Sequence, residues 1–109
     1  MNTPAELDRT LAALADPDRR RVVELLRERP WRAGELAHAI GLRAPAMSRH
    51  LKVLRRSGLL EETHPEFDAR VRICSLRPEP IAELKDWLAE TESLWSEQLR
   101  SFKQHVERG

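Results

Sequence analysis

The tightest restriction on the fold comes from Gly41. It ends the helical pattern AGELAHAI, and only Leu42 and Arg43 separate it from a second helical pattern, APAMSRHLKVLRR, which Gly58 closes. Glycine takes the left-handed backbone conformation without steric cost, so it stops one helix and turns the chain at once into the next. Helix, tight glycine turn, helix is a helix-turn-helix arrangement, provided that the second helix has one face for the core and another for a groove.

The second helix meets that condition. Advancing about 100° per residue, Met47, Leu51 and Leu54 gather on one side, and Pro45, Ser48, Arg49, Lys52 and Arg56 gather opposite. The first edge is apolar and belongs inside. The second is basic, and residues 43–60 hold Arg43, Arg49, Lys52, Arg55 and Arg56 with no Asp or Glu among them. Ser48, Arg49 and Lys52 suit the major groove of duplex DNA, because arginine bridges guanine O6 and N7 and lysine neutralises phosphate. The plainer reading is a solvated charged face, as most basic stripes are; the tight turn and the hairpin that follows weigh against it. His50 projects between the two edges, placed either to donate to a phosphate or to rest half-buried on the preceding helix.

The flanking segments give this pair its surroundings. Thr3 as cap, Pro4 in the first turn and Glu6 in the capping-box position open a first helix, whose Leu7, Leu11 and Leu14 form an apolar edge. Asp16 and Pro17 open a second helix that stops before Pro30, with Val22, Val23, Leu25 and Leu26 for the core and Arg19, Arg20 and Arg21 at its start. A third is the short AGELAHAI, with Leu36, Ala37 and Ile40 inward. After Gly58, LLEETHPEFDARVRICSL reads as two strands, residues 59–63 and 70–76, around a loop with Pro65 and Asp68. A hairpin in that place is a wing. Its Arg70 and Arg72 are set to reach flanking phosphate or minor groove, although Glu61, Glu62, Glu66 and Asp68 crowd the same hairpin. Residues 78–107 read as one helix of about 30 residues, or about 40 Å. Ile81, Leu84, Trp87, Leu88, Thr91, Leu94, Trp95, Leu99, Phe102 and Val106 share one stripe of it, and two tryptophans on so long a stripe exceed what a small monomer needs.

Composition narrows the function. A chain of 109 residues has room for one domain with a modest core. The net charge of +1 hides a segregation: the basic middle contrasts with residues 79–109, where seven acids face Lys85, Arg100, Lys103 and Arg108. One part of the fold is thus expected to meet an anionic partner. No apolar run reaches the roughly 20 residues of a membrane span, and MNTPAELDRT lacks the layout of a signal peptide, so no membrane partner and a cytoplasmic location are expected. The lone Cys74 excludes an internal disulfide and reads as a small buried hydrophobe. His38 and His64 read as surface residues. No Gly-x-Ser-x-Gly, phosphate-cradling glycine loop or His/Cys cluster is present, and the adjacent Glu61 and Glu62 point to opposite faces of a strand. An enzyme is not expected, nor a cofactor.

In this order and spacing LADPDRRRVVELL, GELAHAIGL, PAMSRHLKVLRRSGLL and DARVRICSL resemble the ArsR-type winged-helix transcriptional repressors, from about Leu11 to Leu76. SRHLKVLRRSGL is the most specific segment. The tail LRPEPIAELKDWLAETESLWSEQL is similar to the branch that lacks metal-sensing cysteines, whose genes often neighbour those of START-like lipid-binding proteins. The resemblance implies a mainly α winged helix-turn-helix, about five helices and a two-stranded wing, forming a single DNA-binding domain over residues 1–109. It implies a homodimer built on helices 1–15 and 78–107, with Leu7, Leu11, Leu14, Trp87, Leu88, Leu94, Trp95, Leu99 and Phe102 at the interface. It also implies a pseudo-palindromic operator, met in the major groove by one helix 44–57 per half-site. The groove-reading positions that match are Arg43, Ala44, Pro45, Ser48 and Arg49, with His50 and Lys52 beside them; Arg56 and the wing's Arg70 and Arg72 complete the expected DNA contacts.

Members of that family often carry Ser-Gln where this chain has Arg43-Ala44, so a base-reading amide is missing and a different operator is expected. The family's metal motif contains cysteines; the matching RAGELAHAIG has none, and the last helix lacks the usual Asp-x-His pair and offers only His105, so no metal is expected. A seam lined by Trp87 and Trp95 can hold a small apolar effector that changes the spacing of the recognition helices. The competing class is a winged-helix protein–protein interaction module without DNA binding, its aromatic tail meeting a protein partner.

Overall fold

Five helices and three strands follow one another in the computed structural model, which describes residues 4–108; Thr3, expected to cap the first helix, lies outside them. The order is α1 (Pro4–Leu14), α2 (Pro17–Leu26), β1 (Trp31–Arg32), α3 (Ala33–Ile40), α4 (Ala44–Arg56), β2 (Leu60–Thr63), β3 (Ile73–Leu76) and α5 (Glu79–Arg108).

Local chemistry sets each boundary. Asp16 caps α2, its Oδ1 accepting from the N–H groups of Asp18 at 2.8 Å and Arg19 at 3.2 Å, and Pro17 fills a first-turn position that needs no donor. The end of α1 carries no basic residue of its own, so arginines from α2 satisfy its last carbonyls. Arg19 Nε donates to Ala13 O at 2.7 Å, and Arg20 Nη1 donates to Leu14 O at 2.8 Å. Gly41, at φ 80°, and Gly58, at φ 82°, close α3 and α4 with the same pair of bonds. Leu42 N–H reaches Ala37 O at 2.9 Å and Leu59 N–H reaches Leu54 O at 3.1 Å, while each glycine N–H bonds one residue further on. Both are Schellman closures.

The core lies where α2, α3, α4 and the sheet meet. Val22, Leu36, Leu51, Leu54, Leu59 and Cys74 have no exposed surface, and Met47 has 1%. All three residues expected on the inner edge of the second helix of the pair are therefore buried. Truncating any of them to alanine costs about 2–5 kcal/mol. The inner side of α1 is Thr10 and Ala13; Leu7 and Leu14 are half-buried and Leu11 is exposed.

The wing is larger in one respect and smaller in another than the sequence suggests. Trp31 and Arg32 add a third strand, giving an antiparallel sheet in the order β1-β3-β2, with Trp31 opposite Cys74 and Glu62 also opposite Cys74. The second wing strand begins at Ile73, not at residue 70. The stretch before it is a loop shaped by Asp68, whose Oδ1 accepts from Arg70 N–H at 2.9 Å, and by His64, whose Nδ1 donates to Val71 O at 3.0 Å. Helix α5 packs on α1 and then overhangs the body, giving a molecule of 71 × 28 × 24 Å.

Candidate nucleic-acid interface

Because Met47, Leu51 and Leu54 anchor α4 inward, its opposite edge faces solvent. Arg43, Ala44, Pro45, Arg49, Lys52 and Arg56 are exposed, and Ser48 and His50 are half-buried. No acidic residue lies in the helix's first turn, and Arg43 at the cap position makes no side-chain capping bond. The N-terminal end of α4 thus combines unopposed backbone N–H groups with a guanidinium, the electrostatics that favour a phosphate. Ala44 and Ser48 also line a cleft of about 450 Å³, walled by Arg32, Gly34, Met47, Arg70 and Arg72, between α3, α4 and the hairpin.

The wing's two arginines differ sharply. The Arg70 side chain is 92% exposed and paired with Asp68, Nε to Oδ1 at 3.2 Å. The N–H of Arg70, then its side chain, hold the Asp68 carboxyl below its ordinary range. Arg72 is committed inside the protein. Its Nη2 and Nε bridge the two carboxylate oxygens of Glu62 at 2.7 and 3.3 Å, and its Nη1 donates to Ser48 Oγ at 3.2 Å. Arg55 approaches the same carboxylate at 3.2 Å. The Glu62 side chain is only 8% exposed, and its hydrogen bonds from Arg72 lower its pKa more than burial raises it. The charged pair is favourable because the bidentate geometry satisfies both oxygens.

His50 sits against α2. Arginine is only a donor, so Arg19 Nη1, at 3.3 Å, makes His50 Nδ1 the acceptor and leaves the ring proton on Nε2, which faces Asp18 Oδ2 at 4.0 Å. Asp16, Asp18 and His50 bring ligand atoms within 4.8 Å of one another, the one such trio among the described residues. Arg19 already supplies the cation there, 4.0 Å from Asp16 Oδ2, and the Nε2 proton stands where a metal needs a lone pair. The Arg19 N–H chiefly lowers the Asp16 pKa. Cys74, wholly buried, has its thiol pushed up to about 11 by desolvation, which keeps it protonated.

The other expected contact set lies on the outer helices. Trp87, Leu88, Leu94, Trp95, Leu99, Phe102 and Val106 are between 42% and 66% exposed, with Leu11 of α1 at 42%. A continuous stripe of this kind is more apolar surface than a monomer ordinarily leaves in water. The sequence reading placed Arg19 at the start of the second helix, Arg55 in the basic segment 43–60 and Glu62 among the acids of the hairpin, but did not pair them, since their partners lie on other elements.

Comparison with known proteins agrees with this geometry. A helix-turn-helix domain family matches residues 14–63. The chain is 35% identical over 107 residues to the HTH-type transcriptional regulator Rv2034 of Mycobacterium tuberculosis, covering 98% of this chain and 94% of that one. Among solved structures, an ArsR family transcriptional regulator superposes with a TM-score of 0.79 at 34% identity, covering 87% of this chain and 95% of its own. An ArsR-like transcriptional regulator from Rhodococcus sp. RHA1 reaches a TM-score of 0.85 at 25% identity, covering 96% and 94%.

Proposed function

The chain belongs to the ArsR family of winged-helix transcriptional regulators, and on that premise we propose that it is a homodimeric repressor that occupies a pseudo-palindromic operator. The observation that carries this reading is α4 itself: its apolar edge is buried, and on its acid-free opposite edge Pro45, Arg49, Lys52 and Arg56 are exposed. One α4 enters the major groove in each half-site, with Arg43, Ala44, Pro45, Ser48 and Arg49 toward the bases and Lys52 and Arg56 toward phosphate. Arg70, exposed at the wing tip, reaches flanking phosphate. His50 and Arg72 serve the interface by holding α4 in place, because their polar atoms are engaged within the protein.

The dimer follows from the exposed stripe. Leu7, Leu11 and Leu14 of α1, with Trp87, Leu88, Leu94, Trp95, Leu99 and Phe102 of α5, form the surface that a second copy covers. A small apolar effector at the Trp87/Trp95 seam would alter DNA affinity by linkage, since it would favour one spacing of the two α4 helices over another. No helix among the described residues is long and apolar enough to cross a membrane, and the proposed work places the protein with chromosomal DNA in the cytoplasm.

Footprinting on fragments of the source genome, followed by gel shifts on the protected site, tests the proposal. One protected near-palindrome is expected. Its affinity should fall by roughly three orders of magnitude between about 50 and 200 mM salt if six or more phosphates are neutralised per dimer. A salt-insensitive affinity overturns the mechanism. A stable complex with another protein and no protected DNA favours the interaction-module reading, for which the aromatic stripe is the supporting observation.

A further inference from the structure

We infer that Arg72 is a specificity-setting positioning residue: by donating to Ser48 Oγ it polarises that hydroxyl toward acting as a hydrogen-bond donor, so the base group that Ser48 prefers is an acceptor. The inference rests on the proposed entry of α4 into the major groove.

Arg72 cannot swing freely. One edge of its guanidinium is clamped on Glu62 through Nη2 and Nε, and Glu62 is held in turn by Arg55 at 3.2 Å. What remains directed at α4 is Nη1, 3.2 Å from Ser48 Oγ. Guanidinium N–H groups only donate, so this contact uses one of the hydroxyl's two lone pairs and leaves its single proton and one lone pair. Donation to an oxygen also polarises the O–H and strengthens it as a donor.

The proton is not spent on the helix. Thr10, Ser57 and Thr91 each donate to a carbonyl of their own helix, namely Glu6 O, Leu54 O and Trp87 O. Among the described residues Ser48 makes no such bond, and its side chain lines the open cleft beside Ala44. In the major groove the acceptors are purine N7, guanine O6 and thymine O4, while cytosine N4 and adenine N6 donate. A hydroxyl that could rotate to accept from either amine would discriminate weakly. One already loaded by Arg72 prefers an acceptor, and thereby tells a G·C pair, whose guanine presents two acceptors, from C·G, whose cytosine presents a donor.

Binding-site selection from a random duplex pool tests this with four full-length proteins: wild type, S48A, R72M and the double variant. The wild type should show one position per half-site where the preferred pair is favoured over its inversion by roughly tenfold. S48A and R72M should each reduce that preference to about threefold or less, and the double variant no further, because both changes remove one coupled contact. Preferences at other positions should survive, a pattern that general unfolding does not produce. Should R72M not fold by urea titration, R72K replaces it, since lysine keeps the charge but cannot bridge Glu62 and Ser48 together. Unchanged preferences in S48A, or a preference that survives loss of Arg72, overturn the inference while the groove-reading proposal stands. A pool that the wild type does not enrich overturns the proposal beneath it.

Discussion

Arg49 stands exposed on the outer edge of α4, with no ion pair among the described residues. Replacing it with alanine should cost about 1–3 kcal/mol at a specific site if it bridges a guanine, and much less on random duplex, as competition gel shifts would read. Glu62 makes a different prediction, about stability and pH. Its folded pKa lies below the ordinary 4.5, chiefly through Arg72, so its contribution is whole above that value and is lost as pH falls through the lowered folded value. E62Q should therefore unfold about 1–2 kcal/mol more easily at neutral pH, with the gap to wild type closing in acid; a gap constant from pH 7 to pH 3 contradicts the pairing. The basic character of Arg49, Lys52 and Arg56 was legible because it depends on position along one helix. The different fate of Arg70 and Arg72 was not, because alternation along a strand does not say which guanidinium meets a carboxylate ten residues away.

Among the elements, the turn between α3 and α4 is the most tightly specified. Gly41 sits at φ 80°, and a Cβ added there would meet nothing within 4 Å, so the cost of G41A is purely one of backbone conformation. It should be about 1–2 kcal/mol, seen as a lower urea midpoint with an unchanged slope. The two-faced pattern of α4 was read correctly because three buried residues at helical spacing outweigh any local propensity. Strand β1 was missed for a physical reason as well. Two residues have no period, and Trp31 and Arg32 become a strand only because β3, about 40 residues later, offers them its backbone. The shortened β3 has the same kind of cause, since the Asp68 turn takes Arg70 out of the ladder.

For the molecule as a whole, the overhang of α5 is the dominant feature. Its exposed stripe runs from Trp87 to Val106 along a body whose longest dimension is 71 Å. Placing two like charges on that stripe with W95E/L99E should convert the proposed dimer to monomer in sedimentation at micromolar concentration. Operator affinity should drop at least about tenfold, because a monomer holds only one half-site. A fully dimeric double variant would move the interface elsewhere. From sequence alone came the helices, the glycine turn, the buried edge of α4 and its cationic opposite, all of which follow from spacing within a single element and from the chemistry of one residue type. Only the tertiary structure decided which arginines remain available: Arg19 and Arg72 are engaged by groups 31 and 24 residues away, and such pairings depend on how elements pack, which no local periodicity encodes.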